Sequence, residues 1–461
     1  MFAKRQRIHF IGIGGIGMSG IAEILLTLGY TVTGSDLKRS SVTDRLEMLG
    51  ATVHEGHRAE NAMGADVVVT SSAVPALNPE VVEARAHKVP VILRGEMLAE
   101  LMRLKYGIAV AGMHGKTTTT SMIAAVMAAG ELDPTVVVGG RVEALGSNAR
   151  FGRSRYLVAE ADESDRSFLK LMPILAVVTN LDREHMDCYS DMADVQDAFV
   201  EFMNKVPFYG AVVACVDDDW LREILPRVRR RVVTYGFRAD AECRIEMLPR
   251  TDDCHARYLL HVEGRALGPF ALHVPGRHNV LDSAAAAAIG LQLQMEPEKI
   301  IAGLGSFRGV DRRFQQKGTV RGVTVIDDYG HHPTEVQATL QAARECGYGH
   351  VHVLFQPHRF TRTRDMLGEF AESFGDASTL EVLDIYAASE QPIANVTAQA
   401  LVKAIASGSK PPQQVEYAGS IAEAAERIAA RAKAGDAVIT LGAGNVSQAG
   451  AVVLDALKAR E

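Results

Sequence analysis

"VAGMHGKTTTTSM" (residues 110–122) decides the fold. A β-branched run beginning at Tyr106 precedes it, and the apolar "MIAAVMAAG" follows, so the stretch sits between a strand and a helix. Lys116 and Thr117 after Gly115 end it as a phosphate-binding loop ends. Backbone amides there surround phosphate oxygens, the lysine neutralises β/γ charge, and the threonine hydroxyl reaches Mg²⁺. The common form G-x-x-x-x-G-K-[ST] would put glycine at position 110, which is valine, so the loop is a shortened one. Gly112, His114, Gly115, Lys116, Thr117 and Thr118 are its candidate phosphate-binding residues.

A second strand–turn–helix opens the chain. "RIHFIG" (7–12) reads as a buried strand, "GIGGIG" spaces Gly12, Gly14 and Gly17 as G-x-G-x-x-G, and "IAEILLTLG" reads as a helix. Glycines in that setting let N–H groups approach a diphosphate at a helix N-terminus. Asp36 stands at the end of the next strand, where a ribose-binding acid often sits. The motif points to a diphosphate nucleotide without specifying nicotinamide. Strand and helix patterns go on alternating through "ADVVVTSSAV" (65–74) and "VPVILRGEML" (89–98).

Beyond the phosphate loop come the strands "RYLVAEAD" and "ILAVVTNL", each ending in polar residues. A bound magnesium needs oxygen ligands. "LVAEADESD" supplies Glu160, Asp162, Glu163 and Asp165 directly after a strand, and "REHMD" adds His185 and Asp187 after the next. Residues 241–274 alternate without a helical period, as antiparallel strands do, and "HNVLDSAAAAAIGLQL" is an alanine-rich helix. A third alternating region follows "GVDRRFQQKG", with the polar loops "IDDYGHHPTE" and "QPHRFTR" at strand ends. Arg359 and Arg362 suit phosphate or carboxylate, which guanidinium groups bind bidentately.

Size and composition agree. A chain of 461 residues needs two or three domains. Hydrophobic residues at 47% and charged residues at 23% are those of a globular enzyme, and a net charge of -7 argues against a general nucleic-acid or membrane-surface binder. The five scattered cysteines, without a C-x-x-C pair, are expected to be reduced thiols of a cytoplasmic protein. No apolar run is long enough for a membrane span. Lys4, Arg5 and Arg7 before an apolar stretch imitate a signal peptide, but the glycines from Gly12 to Gly20 interrupt it.

Taken in order, "GIGGIGMSGIAEIL", "HGKTTT", "AEADESD", "HMD", "HN", "RRF", "DDYGHHPTE", "QPHRFTRT" and "LGAG" resemble the Mur ligases over essentially the whole chain. That family uses a shortened loop for ATP, which accounts for Val110. The resemblance is strongest to the branch that joins L-alanine to UDP-N-acetylmuramate through an acyl phosphate. It implies an α/β protein of three domains. Residues 1–106 would be a Rossmann-like UDP-substrate domain and 107–314 a central P-loop ATPase with a parallel sheet plus a small antiparallel sheet. Residues 315–461 would be a Rossmann-like C-terminal domain. By the same resemblance, Gly14, Gly15, Ile16, Gly17, Met18, Asp36, Ser71, Ser72 and Ala73 bind the UDP part. Thr117, Glu160 and His185 hold Mg²⁺, Asn279 meets adenine, Asp328 meets ribose, and His331 lies near the phosphates. Lys116, His185, His331, Arg359 and Arg362 serve catalysis, in a monomer or weak homodimer. Met113, Arg166, Asp282 and Asn445 depart from the common pattern. For Asp282 two readings stay open: a contact to adenine, or a charge favouring the dipole of its helix. The competing functions are a tripeptide-recycling ligase of the same family, a nicotinamide-dependent oxidoreductase, which explains only residues 8–36, and a non-catalytic nucleotide-binding module.

Overall fold

Runs such as "AVVAC" (211–215) and "VHVLF" (351–355) are buried at every position, which suits strands covered on both faces. In the computed structural model, which describes residues 6–71, 73–142, 147–251, 255–388 and 390–460, such runs become the inner strands of three sheets.

The first sheet orders its strands Thr52–Glu55, Thr31–Asp36, Arg7–Ile11, Val67–Thr70 and Val91–Leu93, all parallel. The chain reverses its direction of winding between Arg7–Ile11 and Val67–Thr70. The crevice at the carboxyl ends of those two strands is therefore where this fold binds ligands. The glycine loop follows the first of them and Ser71–Ala73 the second.

The second sheet has ten strands. Their order is Arg265–Leu272, Ala256–Val262, Cys243–Leu248, Val232–Gly236, Ala211–Cys215, Leu175–Val178, Tyr106–Ala111, Tyr156–Glu160, Thr135–Val142 and Ser147–Arg150. Strands from Cys243–Leu248 to Thr135–Val142 run parallel, and Ser147–Arg150 closes the edge antiparallel. The alternating segment continues this sheet at one edge, so the central sheet is mixed. Glu263 and Gly264, both at positive φ, make the two-residue turn between its last two strands. The helix Lys116–Ala129 leaves the carboxyl end of Tyr106–Ala111.

In the third sheet Gln315–Val320 pairs antiparallel with Val323–Asp328. Ala437–Leu441, Val351–Phe355, Thr379–Val382 and Gln414–Tyr417 follow in parallel. Helices cover both faces. Val336, Leu340, Leu401 and Ile405 pack on one side, and Ala425, Ile428, Val453 and Leu457 on the other.

The chain forms two compact units. One comprises residues 1–248, 258–271 and 281–307, and so holds the first sheet and nearly all of the second; the other comprises 249–257, 272–280 and 308–461. Cys188, Cys215, Cys243 and Cys346 are free thiols, and Cys254 lies outside the described residues. Among the described residues no helix is long and apolar enough to cross a membrane.

Candidate active site

The glycine loop is fixed from below. Gly12 N and Ile13 N donate to Ser35 O at 2.8 and 3.0 Å, and Gly14 N donates to Asp36 Oδ2 at 2.8 Å. Asp36, expected on a ribose, thus braces the loop itself. Helix Ile16–Thr27 begins after Gly15 with no side-chain cap and no acidic residue in its first turn, which leaves its N-terminus ready for an anion. Met18 is buried beneath the loop, Ser71 is half-buried and Ala73 is exposed. Ser72 and the side chain of Ile16 lie outside the described residues.

Under the same loop lies a closed polar network. Glu80, with no exposed surface, accepts from Ser35 Oγ at 2.6 Å, Asn61 Nδ2 at 2.7 Å and Arg58 N at 3.2 Å, and meets His9 Nε2 at 3.4 Å. Burial works against its charge, but the hydrogen bonds to His9, Ser35 and Asn61 prevail and hold its pKa down to about 2. Sequence reading missed this group, because its members are far apart in the chain.

The phosphate loop is tied to the neighbouring strand end. Thr179 Oγ1 donates to His114 O at 2.6 Å, Asn180 Nδ2 donates to the same oxygen at 3.0 Å, and His114 N donates to Asn180 Oδ1 at 2.9 Å. Gly112 has φ +133, and a Cβ there would lie 2.0 Å from Thr179 Oγ1, so no side chain fits. Met113, in place of the family's threonine, is buried. Thr117 and Thr118 lie in the first turn of the helix, at 9% and 7% exposure.

Lys116 curls over this loop. Its Nζ donates to Gly112 O at 2.6 Å, Met113 O at 3.1 Å and Glu163 Oε1 at 2.8 Å. Burial opposes the ammonium, yet the Glu163 carboxylate outweighs it and raises the lysine pKa. His185, held at φ +57, places Nε2 3.4 Å from the same Glu163 oxygen. Burial lowers its pKa, and the bond to Glu163 with the charge of Glu184 reverses that, for a net rise. Glu163 Oε2 is buried with no hydrogen-bond partner. The carboxylate that meets Lys116 and His185 is Glu163; the resemblance implies Glu160 as the metal ligand. Glu160 ends its strand level with Val110, before the chain turns back. The turn is shaped by Asp162, whose Oδ1 accepts from Ser164 N and Oγ, and by Tyr189, whose hydroxyl donates to Glu163 O at 2.7 Å. A hydroxyl, an imidazole and a carboxylate with one uncommitted buried oxygen form a donor set that fits a magnesium ion.

Two departures from the family pattern find places here. Arg166, at φ +60, pairs with Asp194 and lies 4.6 Å over the Tyr189 ring. Asp282 Oδ1 accepts from Thr119 Oγ1 at 3.0 Å, so it packs on the phosphate-loop helix.

The second compact unit holds the remaining candidates. Asn279 Nδ2 donates to Pro275 O at 2.5 Å and lies 3.2 Å from His278 Nε2. Asp328 is buried and accepts from Phe314 N at 2.7 Å, Gly330 N at 2.8 Å and Thr339 Oγ1 at 3.2 Å, so much of its acceptor capacity serves the scaffold. Burial raises its pKa. His331 meets Glu335 at 3.2 Å and packs edge-on to His358. Arg362 Nη1 lies 3.2 Å from His358 Nδ1, and Arg359 N donates to Tyr386 O at 2.8 Å. The His358 ring stacks on Tyr386. Burial, with His331, Arg362 and Arg359 around it, pushes the His358 pKa down to about 3. His331, Arg359 and Arg362 thus gather around His358 and Tyr386, neither of which was singled out from the sequence. Asn445 Oδ1 accepts from Gln356 Nε2 at 2.7 Å nearby in the same sheet.

Known proteins resemble this chain in sequence and in fold. Residues 7–106 match the Mur ligase family catalytic domain, 110–290 the Mur ligase middle domain, and 312–444 the Mur ligase glutamate ligase domain. UDP-N-acetylmuramate–L-alanine ligase of Acidobacterium capsulatum is 66% identical, over 100% of this chain and 99% of its own length. The Koribacter versatilis ligase of the same name is 63% identical with the same coverage. The crystal structure of UDP-N-acetylmuramate–alanine ligase from Thermotoga maritima superposes with a TM-score of 0.80 at 28% identity, covering 99% of this chain and 100% of that one. The chain belongs to the Mur ligase family.

Proposed function

We propose that the protein is the cytoplasmic ATP-dependent ligase that joins L-alanine to UDP-N-acetylmuramate, an early step of peptidoglycan synthesis, acting as a monomer or weak homodimer. The observation that carries the reading is the convergence of Lys116, Glu163 and His185 on the phosphate loop, in a chain 66% identical to a ligase of that name.

A carboxylate resists attack by an amine because it has no good leaving group. One carboxylate oxygen of the muramoyl group attacks the γ-phosphorus of ATP, and ADP leaves. The amine of L-alanine then attacks the carbonyl carbon of the acyl phosphate, inorganic phosphate departs with the C–O electron pair, and the nitrogen loses a proton. Lys116 would move from Gly112 O and Met113 O to the β/γ oxygens, where its charge lowers the barrier. Thr117, Glu163 and His185 would hold Mg²⁺, which supplies Lewis-acid charge to the transferring phosphoryl group. Gly14, Gly15, Gly17 and Met18, with Ser71 and Ala73, would cradle the UDP moiety, Asp36 holding their loop in shape. In the second unit we assign adenine to Asn279, ribose to the remaining acceptor capacity of Asp328, and the acidic groups of the reactants to Arg359 and Arg362, with His331 beside the phosphates.

Phosphate release with ATP, Mg²⁺ and UDP-N-acetylmuramate tests the reading, using L-alanine, L-serine, glycine and the L-alanyl tripeptide as acceptors. L-Alanine should give the highest kcat/KM. Preference for the tripeptide would move the chain to the recycling branch, and no acceptor-dependent release would sink the assignment.

A further inference from the structure

Arg94 opens the helix Arg94–Arg103, directly after the last strand of the first sheet. Its guanidinium reaches two places at once. A Cβ on Gly17 would meet Arg94 Cδ and Nη1 at 2.9 Å, so the arginine forms the side wall of the glycine loop where helix Ile16–Thr27 begins. Its Nη2 donates to Asp162 Oδ2 at 2.5 Å. The Arg94 side chain is 24% exposed, and among the described residues its other N–H groups make no hydrogen bond. Gly95 lets the same helix sit on the acidic turn, since a Cβ there would lie 2.4 Å from Ser167 Cβ.

Asp162 is a structural member of that turn. Its backbone oxygen accepts from Phe168 N at 3.0 Å, its carboxylate from Ser164, and the next residue is Glu163, the partner of Lys116. Burial disfavours the Asp162 charge, but Arg94 and Ser164 keep its pKa low, with Lys116 contributing. A continuous path of contacts therefore runs from Gly17 through Arg94 and Asp162 to Glu163 and Lys116.

We propose that Arg94 is a positioning residue that couples the two ligand loops: a nucleotide diphosphate in the glycine loop engages its uncommitted N–H groups, and the guanidinium then fixes Asp162 and the turn that presents Glu163 to the phosphate loop. The proposal rests on the assignment of the glycine loop to UDP-N-acetylmuramate. It requires that the two nucleotides bind with a free-energy coupling, and coupling is reciprocal.

Calorimetry on the full chain tests it, with a non-hydrolysable ATP analogue titrated in the presence and absence of UDP-N-acetylmuramate. The wild-type protein should bind the analogue about 5- to 20-fold more tightly when the sugar nucleotide is present, within the usual range for coupled sites. In Arg94→Ala that ratio should fall to about 1, while affinity for the analogue alone stays within about threefold of wild type. Arg94→Lys, which keeps the charge without the fork, should retain part of the ratio. A merely structural arginine would shift both affinities together and leave the ratio unchanged. Persistence of the wild-type ratio in Arg94→Ala, or its absence from the wild-type protein, overturns the proposal. If Arg94→Ala does not fold, Arg94→Lys and Asp162→Asn decide by the same ratio. Failure of the wild-type protein to ligate L-alanine would overturn the functional assignment instead, so the two failures are separable.

Discussion

The glycine loop and the phosphate loop share one plan, a parallel strand, a turn of small residues and a helix N-terminus, yet they are charged in opposite ways. The first contains no cation. It offers backbone N–H groups, is braced by Asp36, and rests over the carboxylate of Glu80. The second carries Lys116, already folded onto the carbonyl oxygens of its own loop and balanced by Glu163. A loop without its own cation holds an anion by geometry and by what neighbouring segments lend. A loop with a lysine and a buried carboxylate can stabilise charge that appears only during reaction. On the proposed function, the placement of one lysine divides binding and catalysis between the two loops.

The largest effect should come from removing that lysine. Lys116→Ala takes away three hydrogen bonds and the charge at the phosphate site, and should lower kcat by about 10³-fold, as loss of a transition-state charge donor does. Binding of UDP-N-acetylmuramate, measured directly, should stay close to wild type. Loss of both would show that the two loops do not divide the work.

Next comes the choice of carboxylate. Glu163→Gln keeps the shape but weakens both the pairing with Lys116 and the ligand for a hard cation. It should raise the magnesium requirement and cut kcat by about 10²-fold, the low end for losing one electrostatic contact in an active site. Glu160→Gln should do markedly less. A magnesium titration that moves for Glu160→Gln and not for Glu163→Gln would restore the residue chosen from the sequence.

The sequence leaves open which of these carboxylates meets Lys116, for a physical reason. Four carboxylates follow one strand within six residues, and the alternation of a strand stops where the turn begins. Which carboxylate faces the loop is set by Ser164 closing the turn from within, by Tyr189 bonding it from outside, and by Arg166 in a left-handed conformation. Sequence spacing carries none of that. The loops themselves were legible, because Gly112, Gly115 and Lys116 must lie next to one another in the chain to do their work. So were the three alternating α/β regions, from the apolar runs of their inner strands. Arg94 and Glu80 were not, since each acts on partners dozens of residues away and neither belongs to a local pattern.

The network under the glycine loop gives a pH test. Glu80 titrates at about 2 in the folded protein against an ordinary value near 4.5. Its stabilisation is therefore fully present above the unfolded pKa and is lost as pH falls from about 4.5 towards 2, and the shift corresponds to about 3 kcal/mol. Glu80→Gln should lower the Tm of the domain carrying the first sheet at pH 7, and the gap from wild type should narrow by pH 3. A gap independent of pH would mean that shape, not charge, holds this loop. No such acid sensitivity should arise from the glycine loop's backbone contacts to Ser35.

Asp282 should produce the smallest effect, and it tests the charge contrast most finely. Its Oδ1 accepts the Thr119 hydroxyl, and a Cβ on Gly115 would lie 2.6 Å from that oxygen, so a carboxylate stands against the end of the phosphate loop. It lies in the interior of helix Arg277–Gln292, away from the terminal turn where a helix dipole would favour it. Asp282→Asn retains an oxygen for Thr119 and removes only the negative charge, which opposes incoming phosphates. At a separation of about 8 Å and an effective dielectric constant of about 40–80, that repulsion amounts to about 0.5–1 kcal/mol, or a two- to fivefold tighter binding of ATP. The gain should be equal for ATP and GTP, because the interaction is with phosphates. A gain confined to ATP would place the residue against adenine after all. Unchanged affinity with a lower Tm would assign it to packing alone. Asp282→Ala separates the remaining possibility, since it also deletes the bond to Thr119: if that bond shapes the loop, ATP binding should weaken in the alanine variant while it tightens in the asparagine variant. Opposite signs from two substitutions at one position would show that the phosphate loop keeps a carboxylate for its hydrogen bond, at the expense of some affinity for its own ligand.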